Sequence, residues 1–458
     1  VENPSVPRDT FATARVEIDL QAVPKFQRSA VQISKIQRTR KLFCKSRIIL
    51  CLSALAAFGS PAIAVSNDQD DTLPAAAMPL IKQLPEEDQY FQNIARSGFY
   101  SFKNAPQPLR VYLKPSSAKV SPELQAALQS AFDVWTKASK ERLKFQFVKV
   151  DNDPDITVVW TNNPGDIKEG KQGYTDFVKT KDDISKSKIT LLTNRRNGTP
   201  LTAPFAKALV MHEIGHAIGL NGHSYSSGDI MFGGRLEDTS HISASDLKFF
   251  NKIYTTPREE LLKDTLPVLE KIYGSDSLIV SKNMARLARI YNNKKQFALA
   301  EPYAEKALPV QEKELPENDK NYLTTLSTAA FAYWNLNKFD KACPCYETML
   351  RLKRKGVDIY LTEEQLYRNI VRCREEQKQT DKMLEALNEM QSTFEKSNPQ
   401  GEGRAWAMAK LGYFEFQNGQ KEKAKPLMKA ACDIYTRVPS SKFGSWCINF
   451  YKSQFTGP

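Results

Sequence analysis

Histidine is scarce in this 458-residue chain: there are four, and all of them fall between positions 212 and 241. Three lie in His212-Glu213-Ile214-Gly215-His216-Ala217-Ile218-Gly219-Leu220-Asn221-Gly222-His223. On a helix, residues four apart project from one face, so His212 and His216 can share a tetrahedral metal. Glu213 follows the first of them, where its carboxylate can reach a water beside the metal without occupying the metal itself. Gly219 supplies a left-handed residue to end the helix, after which the chain can turn and return His223 as a third ligand. The chemistry such a set supports is metal-assisted hydrolysis, with Glu213 as general base. A surface helix with two solvated histidines is the plain alternative, and the third histidine with its glycine weighs against it.

The elements that must position these groups are legible upstream. Leu109-Arg-Val-Tyr-Leu113 alternates apolar and polar residues in the manner of a half-buried strand. Ser121-Pro122-Glu123 gives an N-cap, a proline at the first helical position and an acid in the first turn. Leu124, Leu128, Ala131, Trp135 and Ala138 then form the stripe of a helix packed on a sheet. Further strands are expected at Phe145–Val150, Ile156–Trp160, Gly173–Val178 and Ile189–Thr193, and a second helix from about Ala203 to Ile218. The reading is an α+β domain with roughly five strands, residues 89–255.

The histidine stretch resembles the HExxHxxGxxH signature of the metzincin zinc peptidases, most closely the matrixin-like peptidases of bacteria. The resemblance extends to Gly228-Asp229-Ile230-Met231, similar to the Met-turn beneath the metal in that family, and more loosely over residues 89–255. It implies a metzincin-like catalytic domain, one catalytic Zn2+ on His212, His216 and His223, and endopeptidase activity on protein or peptide substrates. It further implies that Met231 is a packing floor. The substrate would run antiparallel to an edge strand, for which Gly173-Tyr174-Thr175 and the residues after them are the candidate. This sequence departs from the pattern in one place: His223 comes eleven residues after His212, where the family's third histidine comes ten after. The extra residue lies beside Gly222, and Asp229 or His241 are the substitutes should His223 not reach. No histidine exists outside 212–241, so the family's additional structural zinc site is not expected. Asp151-Asn-Asp-Pro-Asp155 offers the oxygen ligands calcium takes but lacks the glycine and spaced acid of a loop motif, and reads as a solvated turn.

After Tyr254 the pattern is helical only. Leu287-Ala288 leads to Ala300, Ala329-Ala330 to Ala342, and Leu411-Gly412 to Ala424, at one offset; Ala300 and Ala342 are 42 residues apart, and Ala424 lies 82 further on. A degenerate copy is expected near Tyr367–Leu387. This resembles tetratricopeptide repeats, in which small residues let paired helices approach and stacking buries faces no single repeat can bury. It implies an all-α solenoid over residues 260–440 that recruits a protein substrate or partner, with 441–458 as a tail. The rival function is a repeat-based binding or scaffold protein whose metal domain is inactive or latent.

The formal charge is +13, and ten Lys or Arg against four Asp or Glu in residues 1–64 account for about half of it. No stripe of arginine interleaved with aromatics accompanies the remainder, so nucleic acid is not an expected partner. Residues 1–64 read as a leader with its signal core at 38–64: a basic stretch, the apolar run Ile48–Phe58 and a small-residue site at Ala62-Ile63-Ala64. The run is shorter than the roughly 20 residues that span a bilayer. Export to the envelope or medium of a bacterium is therefore expected, with no membrane anchor after cleavage and a linker at 65–88. The five cysteines beyond the leader, Cys343, Cys345, Cys373, Cys432 and Cys447, are an odd number and read as buried thiols before a disulfide.

Overall fold

The structure, a computed structural model, describes residues 63–65, 77–179, 183–234, 241–438 and 441–456. The leader, apart from Ile63 and Ala64, lies outside the described residues. The chain divides into two compact units, one ending at Pro316 and the other beginning at Glu317.

The first unit is built on a mixed sheet. Its strands are β1 (Ile63–Val65), β2 (Leu109–Lys114), β3 (Phe145–Val148), β4 (Ile156–Thr161), β5 (Gly173–Lys179) and β6 (Ile184–Leu192), in the order β1-β5-β6-β4-β2-β3. All five expected strands are present, the largest difference being an earlier start of β6. β3, β2, β4 and β6 run parallel; β5 is antiparallel to β6, and β1 pairs antiparallel with β5 at Phe177, Val178 and Lys179. Parallel neighbours need a crossover, and between β2 and β3 it is helix α3 (Pro122–Ala138). Ser121 caps α3 by accepting from the Leu124 amide at 3.3 Å, and Leu124, Leu128, Ala131 and Trp135 are buried. Against α3 packs α4 (Ala203–Ala217), capped by Thr202. Every residue from Ala208 to Ala217 is buried, so α4 crosses the interior with its histidines enclosed. Trp135 fixes the pair by donating from Nε1 to the Met211 carbonyl at 2.9 Å. α5 (Ala244–Thr255) closes the domain with a capping box of Ser243 and Asp246.

The stretch read as a linker, 65–88, is partly helical: α1 (Ala77–Lys82) and the first turn of α2 (Glu86–Ser97) fall within it. Ala77 and Ile81 bury themselves against Ile272, with Met78, Leu84, Val268 and Tyr273 packed around them. Ile272 and Val268 belong to α6 (Arg258–Tyr273), which follows the boundary expected at 255–260 and packs on α1 and α2. With α6, the helices α7 (Leu278–Asn293) and α8 (Phe297–Glu314) belong to the first compact unit. Arg286 of α7 donates to the Ser97 carbonyl at 3.2 Å.

The second unit is all helical: α9 (Lys320–Asn335), α10 (Phe339–Arg354), α11 (Glu363–Glu376), α12 (Thr380–Ser397), α13 (Glu402–Gln417), α14 (Lys421–Tyr435) and α15 (Lys442–Phe455). The small residues that defined the repeat, Ala329, Ala342 and Ala424, are fully buried where paired helices meet. The copy whose sequence is degenerate forms a complete pair, α11 with α12, because Leu366, Ile370, Met383 and Leu387 keep its core apolar. The segment read as a tail is α15. Phe443, Cys447 and Phe450 recur at helical spacing and are buried, and Phe450 stands edge-on to Phe416 and Tyr413 of α13. Among the described residues no helix is long and apolar enough to cross a membrane.

Candidate metal centre

α4 carries His212, Glu213 and His216 into the interior and stops at Ala217. Gly219 follows with φ of +118°, and a Cβ there would lie 2.1 Å from the Tyr100 carbonyl oxygen, so the turn and the close approach both require glycine. The chain then reverses and brings His223 back over the helix. The extra residue before His223 is absorbed by contact: Gly222 lies so close to α2 that a Cβ would be 2.6 Å from the Ile94 amide nitrogen. Asn93 of α2 also donates from Nδ2 to the His223 carbonyl at 3.0 Å. What Gly222 provides is space, since its φ is not positive.

The three histidines meet. His216 Nε2 lies 3.1 Å from His212 Nε2 and 3.2 Å from His223 Nε2. The outer nitrogens of the first two are committed to the backbone: His212 Nδ1 donates to the Ile230 carbonyl at 2.7 Å, and His216 Nδ1 to the Leu220 carbonyl at 2.8 Å. With Nδ1 protonated in each, the Nε2 lone pairs face inward, the orientation in which imidazoles ligate a metal. Burial, followed by the neighbouring His212 and His223, holds His216 well below the usual histidine range, so it is neutral at pH 7. Among the described residues these three are the group whose donor atoms converge within 4.8 Å. Asp229 and His241, the substitutes, do not join it. Asp229 is hydrogen-bonded by the Ser224 hydroxyl, and His241 is exposed. Two of the three acids of the 151–155 turn are engaged as well, Asp153 with Lys186 and Asp155 with the Arg110 amide at 2.6 Å.

Glu213 lies beside this centre, 4 % exposed. Thr175 donates from its hydroxyl to Glu213 Oε2 at 2.6 Å and also lies 3.1 Å from the Glu213 carbonyl oxygen. Burial pushes the Glu213 carboxyl up to about 7, against the opposing pull of the Thr175 hydrogen bond and Lys171. Of the three residues expected to bind substrate, Gly173 and Thr175 face inward: Thr175 is fully buried, and a Cβ on Gly173 would lie 2.6 Å from Glu213 Oε1. Tyr174, on the opposite face of β5, is half-buried with the Lys168 ammonium 5.3 Å from its ring centre.

Met231 packs under α4 so tightly that a Cβ on Gly215 would fall 2.2 Å from its sulfur. Its turn is held by the Ser224 amide, which donates to the Met231 carbonyl at 2.7 Å. The sequence reading missed what anchors this turn. Asp246 accepts from the Ile230 amide at 2.8 Å, the Ser243 hydroxyl at 2.8 Å and the Tyr90 hydroxyl at 2.9 Å. The Ser243-x-x-Asp246 capping spacing was the available signal, although it reports a helix start and says nothing of the turn before it.

Residues 107–255 match the family model of matrixins, and residues 281–313 and 324–355 that of the tetratricopeptide repeat. No curated protein matches the chain. Among solved structures, the "Podosopora anserina putative kinesin light chain nearly identical TPR-like repeats" match with TM-score 0.32 and 19% identity, over 40% of this chain and 88% of that one. BtubC (BKLC) from P. vanneervenii matches with TM-score 0.30 and 16% identity, over 43% of this chain and 82% of that one.

Proposed function

We propose that this protein is a zinc-dependent endopeptidase in which His212, His216 and His223 hold the metal and Glu213 is the general base. The observation that carries the proposal is the convergence of three Nε2 lone pairs. A tetrahedral zinc with nitrogen ligands at about 2.05 Å has its ligand atoms about 3.3 Å apart. The separations of 3.1 and 3.2 Å fit that donor set closely. A divalent cation between these rings would take one Nε2 lone pair from each of the three histidines. A zinc ion held there supplies Lewis acidity toward water and toward a scissile carbonyl.

The chain's own residues do the rest. Glu213 takes a proton at its carboxylate from the attacking water and returns it to the leaving amine, and a carboxyl near 7 is matched to both transfers. Thr175 holds Oε2, which leaves Oε1 for the proton. The bonds to Ile230 and Leu220 keep the rings of His212 and His216 from rotating. Tyr174 and the outer edge of β5 before Phe177, where the pairing with β1 begins, receive an extended substrate, whose main-chain hydrogen bonds are indifferent to sequence and suit an endopeptidase.

The tetratricopeptide matches support a protein partner on the helical repeats, and the same proposal has them recruit the protein to be cut. Export through the signal core at 38–64 belongs to it as well. N-terminal sequencing of the mature protein tests that part, and a chain retaining the basic stretch before Ile48 would refute it.

The purified chain is expected to carry about one zinc by mass spectrometry and to cleave unfolded casein in a chelator-sensitive manner. Glu213→Ala should keep the zinc and lose about 10²–10⁴-fold in rate. A folded chain without zinc would overturn the metal assignment, and near-normal cleavage by Glu213→Ala would remove Glu213 as the base. Zinc without cleavage of any unfolded protein would favour the scaffold reading.

A further inference from the structure

The second unit ends in a feature that the peptidase reading does not use. Cys432 of α14 and Cys447 of α15 face each other with their sulfurs 3.4 Å apart, and the Cys432 thiol also lies 3.5 Å from the Cys447 carbonyl oxygen. Both are buried, Cys447 completely and Cys432 to 6 % exposure. They join α14 to α15. α15 is held by rings: Phe443, Trp446 and Phe450 pack on one another and on Tyr413 and Phe416 of α13. The thiol pair lies at the α14 side of the same contact.

We propose that Cys432 and Cys447 form a disulfide that locks α15 onto the end of the repeats. A disulfide needs its sulfurs about 2.05 Å apart, so each must move by well under an ångström from its present place. The loop it closes, residues 432–447, is short and contains the turn between the two helices. The oxidant is a disulfide, either a small-molecule disulfide or an oxidised thiol–disulfide exchange protein. Cys432, the more accessible sulfur, attacks as the thiolate and releases one half of the oxidant as a thiol. Cys447 then attacks the mixed disulfide at the Cys432 sulfur and releases the other half. Two cysteine thiols lose two electrons and two protons in total, and one oxidant disulfide becomes two thiols. Hydrogen bonding from Cys447 lowers the Cys432 thiol, which favours it as the attacking group. The inference is independent of zinc and of proteolysis.

The test is thiol mapping of the full chain, refolded from denaturant and equilibrated in oxidised and reduced glutathione buffers, then alkylated and digested without reduction. The expected product in the oxidising buffer is a cross-linked peptide joining Cys432 to Cys447, absent in the reducing buffer and in Cys432→Ser. The melting temperature of the oxidised wild type should fall by several degrees on reduction, whereas that of Cys432→Ser should not respond. Complete alkylation of both cysteines after refolding in the oxidising buffer would overturn the proposal. So would a cross-link from Cys447 to any other cysteine. Refolding in the buffer gives the oxidant access before α15 docks, so burial of the thiols cannot account for a negative result.

Discussion

Replacing Gly173 with alanine adds one methyl group in front of the proposed base, and the structure sets the size of the effect. The added Cβ would fall 2.6 Å from Glu213 Oε1, 2.8 Å from Cγ and 3.0 Å from Cδ, whereas ordinary contact begins at 3.4 Å. The carboxylate arm must therefore move by about 0.8 Å. It has little room, because Glu213 is buried and Thr175 holds both its Oε2 and its carbonyl. A misplacement of about 1 Å at a reacting group costs on the order of 10²-fold in rate. That corresponds to about 2.7 kcal/mol of barrier. Crowding of a packed site also destabilises the fold by about 1–3 kcal/mol, so the melting temperature should fall while the chain stays folded. The histidines are untouched, and zinc content should equal that of the wild type. The assay is kcat/KM on an internally quenched peptide, well below the variant's melting temperature, with Glu213→Ala as the floor. A folded, zinc-loaded Gly173→Ala within threefold of wild type would refute the geometry argued for Glu213.

Two further outcomes follow from burial and from the division of the chain. In the metal-free protein the raised Glu213 carboxyl, about 7 when folded against 4.5 as the reference, favours the neutral acid. Its contribution is therefore full below about pH 4.5 and lost as pH rises through 7. Relative to Glu213→Gln, chelator-treated wild type should lose about 3 kcal/mol of stability across that window in urea titrations, and parallel curves would refute it. Ending the chain after Pro316 should leave a unit that unfolds cooperatively and cleaves short peptides. Ending it after Glu259 should lower the melting temperature or prevent folding, because Ala77 and Ile81 lose Ile272 and the Ser97 carbonyl loses Arg286. Equal melting temperatures for the two truncations would refute the integration of α6 and α7.

How much of this was legible in the sequence depends on the range of the interactions involved. The helix bearing His212, Glu213 and His216 declared itself because spacing along one helix is local. The five strands did so because alternation is local as well. Thr175 was placed on the substrate edge, yet the alternation of β5 puts Gly173, Thr175 and Phe177 on one buried face, a signal available and unused. The reach of His223 depended on Asn93 and on the close pass of Gly222 against α2, more than a hundred residues earlier in the chain, and no spacing rule carries that. Helices α1 and α15 were read as linker and tail for the same reason. Each is stabilised by a surface that lies elsewhere in the sequence: Ile272 for α1, Tyr413 and Phe416 for α15.

The carbonyls that orient the first two histidines come from irregular backbone, and this places the site's rigidity in a few turn residues. Leu220 offers its carbonyl to His216 because Gly219 reverses the chain immediately before it. Ile230 offers its carbonyl to His212 because its own amide is bound to Asp246. Asp246 is thus two hydrogen bonds from a proposed metal ligand, although it sits in the first turn of α5. Burial raises its carboxyl, and the bonds from Ser243, Ile230 and Tyr90 act against that rise. One carboxyl thereby ties α2, through Tyr90, and the start of α5 to the turn carrying Met231. The sheet delivers Thr175 to Glu213, but His212 takes its ring orientation from this joint, so a change at Asp246 reaches the proposed metal site through the backbone of Ile230 without touching any of the three histidines.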